Sequence, residues 1–165
     1  MEVVEGKATV DDVEAFVERL GSIGTDHGLV VQAFDARYVV DCAHLKRAVA
    51  LADRAFDRGD TIARDRAVEV LLYAAGRRQI NRALTMGIGE GSQQAVVVVH
   101  DPDGADEQAA SEAVGDLLDP AETLGQYDPS LVRDFFAIGE AELAATTGTL
   151  ADLVRERVAL LTVEQ

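Results

Sequence analysis

The sequence predicts an α/β fold of the α+β type: a central mixed, mostly antiparallel sheet flanked by helices on both faces, with residues 1–165 as one domain. Three observations predict it. Val96-Val97-Val98-Val99 is a run of β-branched residues within 94–100, suited to a central strand covered on both sides. Helical spacing recurs elsewhere; Val13, Phe16, Val17 and Leu20 fall at i, i+3, i+4 and i+7. Apolar residues make up 48% of the 165 and are spread along the whole chain, enough to build a core.

In chain order, residues 1–8 read as a weak strand. Thr9 to Asp12 has the outline of a capping box for the first helix, which Gly21 and Gly24 are expected to end. Residues 29–34 form a buried strand. Asp41 caps a second helix with Leu45, Val49, Ala52 and Phe56 inward, and Gly59 stops it. A third helix runs from about residue 64 to 75, with Val68, Leu71, Leu72 and Ala75 on one face. Gly76 suits the left-handed position past its end, and a short helix follows carrying Ile80, Ala83 and Leu84. After the valine strand, Asp101-Pro102-Asp103-Gly104 is turn chemistry. A helix with Ala110, Val114 and Leu117 comes next, then Pro120 and a loop. Asp128-Pro129 opens a helix that buries Leu131, Val132, Phe135 and Phe136. The last helix presents Leu150, Leu153, Val154, Val158 and Leu161.

Charge narrows the function. Thirty acids face fifteen bases, a net charge of −15, and only Lys7 and Lys46 are lysines. Dense carboxylate with scarce lysine fits adaptation to molar salt; a basic partner is the rival explanation. Residues 37–82 invert the balance, with ten bases and six acids, net +4 against −19 for the remainder. An anionic partner is expected near that window. One cysteine, no apolar run of about 18 residues and an acidic beginning suit a cytoplasmic chain outside the membrane.

Little points to catalysis. Gly87-Ile88-Gly89-Glu90-Gly91 precedes a strand, whereas a phosphate loop must follow one. His27, His44 and His100 share no metal spacing with Cys42, and no cofactor is called for. Cys42 reads as a small buried hydrophobe, no serine sits in a nucleophile elbow, and no carboxylate pair stands out.

The sharpest feature is Gly76-Arg77-Arg78-Gln79-Ile80. Both arginines leave one helix end and meet the N-terminus of the next, where a phosphate would be favoured. Guanidinium planes can stack on unpaired bases, and Gln79 can bond a base edge. Equally, the pair can neutralise helix C-terminal carbonyls and nearby acids.

The block from Val68-Glu69-Val70-Leu71-Leu72-Tyr73-Ala74-Ala75 through this turn to Asn81-Arg82-Ala83-Leu84, then Gly87-Ile88-Gly89 and the valine strand, resembles the archaeal Cgi-type subunit of the KEOPS complex, a relative of eukaryotic TPRKB. Ala75 stands where many relatives carry serine. The resemblance implies a non-catalytic accessory subunit. It would bind a kinase-like ATPase subunit directly and a transferase subunit indirectly, in a complex that makes threonylcarbamoyladenosine in tRNA. It also implies that Gly76, Arg77, Arg78, Gln79, Ile80 and Arg82 hold the unpaired 3′ CCA end, with His44 and Lys46 peripheral. The motif has no aromatic ring, so arginine planes and Ile80 would meet the bases. For the ATPase interface the last helix is the first choice, through Leu153, Leu160 and Val163, and the first helix the next. A small-molecule enzyme with a site near Cys42, His44 and Arg78, and a structural adaptor without nucleic-acid contact, are the alternatives.

Overall fold

The structure, a computed structural model, describes residues 1–104 and 106–162. Four strands form one sheet in the order β2-β3-β1-β4, with β1 Glu2–Val10, β2 Val30–Asp35, β3 Gly91–His100 and β4 Asp119–Pro120. Every pairing among the described residues is antiparallel, so the sheet is not mixed as the sequence suggested. The weak first strand is central: it pairs with β3 along its whole length, from Glu2 opposite Val99 to Val10 opposite Gly91.

The valine run explains the layering. Val96 and Val98 point to one side, where α2 (Cys42–Arg58), α3 (Arg66–Ala75), α6 (Pro129–Phe135) and α8 (Leu150–Leu160) build the larger core with Val30 and Phe34. Val97 and Val99 point to the other, against Phe16 and Leu20 of α1 (Val13–His27) and Ala110 and Val114 of α5 (Gln108–Gly115). All four valines are fully buried, each contributing on the order of 1.5–3 kcal/mol relative to exposure.

Local chemistry sets most helix ends. Asp41, Asp65 and Asp128 accept backbone N–H groups at the starts of α2, α3 and α6. The first helix departs from expectation. Asp12 caps it rather than Thr9, which lies in β1, and the helix runs through Gly21 and Gly24 to end at Gly28. Gly24 is there for room, since a Cβ would come within 2.9 Å of the Leu29 carbonyl. The last strand and a short helix α7 (Glu140–Ala145) are additions to the sequence reading. Phe56 is only half-buried, and the Arg66 guanidinium covers its ring at 4.3 Å. No helix among the described residues is long and apolar enough to cross a membrane.

Candidate functional site

The arginine turn stands on a deeply buried foot. From Glu69 to Ala75, all seven residues of α3 are buried. Val68, expected on the inner face, is half-buried, and Glu69, a carboxylate, is fully buried in its stead. The Glu69 Oε1 atom accepts the N–H groups of Ile62 (3.1 Å) and Ala63 (2.7 Å), which ties the loop before α3 to the helix. At the other end Gly76 takes φ 62°, and its N–H and that of Arg77 return to the carbonyls of Tyr73 and Leu72. The left-handed backbone favours glycine here, and a Cβ on Gly76 would also press on the Arg157 carbonyl of α8 at 3.3 Å.

The two arginines then part. Arg77 turns inward: its Nη2 donates to the Phe135 carbonyl, and its guanidinium lies 4.9 Å from the centre of the Phe135 ring. Arg78 points to solvent. So do Gln79, Ile80, Asn81 and Arg82, with Ile80 48% exposed. Among the described residues, the side chains of Arg78, Gln79 and Arg82 make no hydrogen bond or ion pair. The predicted guanidinium pair is therefore one free group and one clamped group, joined by Arg82 a turn away. The helix that follows, α4 (Ile80–Ala83), is four residues long with no side-chain cap, too short for the anion-favouring dipole the sequence suggested. Of the three apolar residues placed on this helix only Ala83 is buried; Leu84, which follows the helix and is 57% exposed, joins Ile80 at the surface.

His44 is not a peripheral contact. It is fully buried: Nδ1 accepts the Val40 N–H (3.4 Å), and Nε2 lies 2.8 Å from the Ala74 carbonyl. Since Nδ1 accepts, Nε2 carries the proton and donates. Burial lowers its pKa below the ordinary 6.5, partly offset by the Ala74 carbonyl, so the neutral ring is the working form. The role is positional, fastening the start of α2 to the end of α3 two residues before Gly76. Lys46 is exposed on α2 and makes no hydrogen bond or ion pair with a described residue. Cys42, at the head of α2, is half-buried rather than buried.

The last helix fits its expected partner-binding role poorly. Leu153 is buried in the core, with 5% exposed, and Val163 lies outside the described residues. Leu160 alone is open, at 39%. The first helix offers more. Val17, 53% exposed, sits with Leu84 on an apolar groove of about 240 Å³ that also draws on Leu20, Val68, Leu71 and Ile88. Val17 shares the helical stripe of Phe16 and Leu20, yet it lies at that stripe's edge beside Glu14 and Glu18, which face water. No spacing could have shown the Phe135 clamp on Arg77, which spans 58 residues.

Among the described residues no group of three or more histidine, cysteine, aspartate or glutamate side chains is arranged to hold a metal ion. A search among curated proteins finds no match to the chain. Residues 10–162 do match one family, described as kinase binding protein CGI-121, and over so much of its length the chain belongs to that family.

Proposed function

We propose that this chain is a non-catalytic subunit that binds a kinase-like ATPase and presents tRNA to a threonylcarbamoyl-transferring complex, gripping the unpaired 3′ CCA end at the arginine corner. Family membership supports the kinase partner. The observation that carries the RNA reading is the contrast at Gly76, where a buried helix delivers Arg78, Gln79, Ile80 and Arg82, all exposed, within the cationic window of an acidic chain. Arg78 and Arg82 would pair with phosphates or lie flat on bases, Gln79 would bond a base edge, and Ile80 would meet a base face. Arg77 acts by bracing the turn. Salt weakens phosphate attraction steeply, so a protein of concentrated brine would lean on stacking and hydrogen bonds.

The kinase is assigned to the groove around Val17 and Leu84, which offers apolar surface the core does not consume. An enzyme built on Cys42, His44 and Arg78 is disfavoured, because the His44 ring is spent on two backbone groups. The complex would work in the cytoplasm, where its tRNA substrate resides.

A gel shift with tRNA carrying or lacking its CCA tail tests the RNA reading. Binding lost with the tail supports it. Equal binding to both counts against it, and binding to neither points to an adaptor without RNA contact. For the kinase surface, Val17→Asp and Leu84→Asp should each abolish co-purification with the ATPase while leaving tRNA binding intact; unchanged co-purification would refute that placement.

A further inference from the structure

Strand β3 is longer than its neighbour. β2 pairs only with Ala95 to His100, then leaves the sheet at Asp35 for a 3-10 turn at Ala36–Tyr38. Residues 91–94 thus have β1 on one side and, among the described residues, no strand on the other. Which backbone groups are left open follows from one proline. Pro120 has no N–H, so of the adjacent pairs Gly6–Pro120 and Lys7–Asp119 the mutually hydrogen-bonded one is Lys7–Asp119. Lys7 therefore faces β4, and Gly6, Ala8 and Val10 face β3. Their partners Ala95, Gln93 and Gly91 face back. The N–H and C=O groups of Ser92 and Gln94 consequently point outward, beyond the end of β2, and both residues are exposed.

That edge opens on a broad concavity of about 1060 Å³. One wall is the loop from Thr85 to Glu90 and the other is residues 126–129, held to the sheet by the Asp128 N–H on the Arg37 carbonyl (2.9 Å). Three carboxylates line it, Asp35, Glu90 and Asp128, and its one base, Arg37, is already paired with Asp35 at 2.7 Å.

We propose that this slot binds an extended polypeptide segment bearing a cationic side chain, which adds to β3 in line with β2. The Gln94 C=O is taken by the Ala36 N–H that closes the Asp35–Ala95 pair, so three outward groups, the Ser92 N–H and C=O and the Gln94 N–H, supply the strand pairing. Glu90 and Asp128, the carboxylates not paired to Arg37, select lysine or arginine. An RNA strand would set its phosphates against the same carboxylates, so the groove is distinct in chemistry from the Arg78 corner and does not depend on it. Amide hydrogen exchange of the full chain tests the proposal. The probes are acetylated pentapeptides of alternating threonine and valine with a central lysine or a central glutamate, and the trinucleotide CCA. The lysine peptide should slow exchange at Ser92 and Gln94 by about tenfold or more when in excess, with Gln93, already paired to Ala8, unchanged. The glutamate peptide should not. Glu90→Lys, at an exposed position, should reverse that preference. No protection from the lysine peptide, equal protection from both peptides, or protection from the trinucleotide instead would each overturn the proposal.

Discussion

The end of α3 and the corner beyond it are opposites placed side by side. Glu69 to Ala75 are buried without exception, and Arg78 to Arg82 are exposed without exception. Burial on every face, uncommon for so short a helix, costs the chain a desolvated carboxylate at Glu69 and a desolvated imidazole at His44. In return the corner starts from a fixed point, which a binding group on a flexible loop would lack.

The largest expected effect comes from removing the foot. Glu69→Ala strips two buried N–H groups of their acceptor and should lower the unfolding free energy by about 2–4 kcal/mol in urea titration. The paired arginines give the sharpest test of the contrast. Arg78→Ala should weaken tRNA binding by about 1–3 kcal/mol, roughly 5- to 150-fold, and shift stability by less than about 0.5 kcal/mol. Arg77→Ala should do the reverse, costing about 1–2 kcal/mol of stability through the lost Phe135 contacts and affecting RNA less. If both variants behave alike in both assays, the division between brace and contact is wrong.

A smaller effect lies in His44. Its folded pKa is depressed below 6.5, so the unfolded chain takes up the proton more readily. Its contribution to stability is complete above about pH 6.5 and is lost as pH falls from there toward the folded value. Unfolding midpoints measured from pH 7 down to 5 should decline, and His44→Gln should flatten that part of the decline.

Features governed by neighbouring residues were readable from sequence. Asp41 and Asp128 cap helices, and Gly59 and Gly76 end them, because those roles need only the adjacent backbone. The four valines announced a strand with two covered faces for a similar reason. What failed depended on distant partners. Glycine at 24 looks like a stop until the Leu29 carbonyl is seen pressing against it. His44 looks available until Ala74 comes within reach. At the corner, Arg78, Gln79, Ile80 and Arg82 were identified as a group, but the unequal roles of Arg77 and Arg78 rest on Phe135, which no local pattern ties to them.

The close approach of the Arg157 carbonyl to Gly76 gives the C-terminal helix a further role. Arg157 is itself moored, through Nε to the Phe136 carbonyl and through a 2.6 Å ion pair to Glu142. With the two backbones in such close contact, α8 buttresses the turn from which Arg78 emerges, and a tilt of that helix would press on the corner.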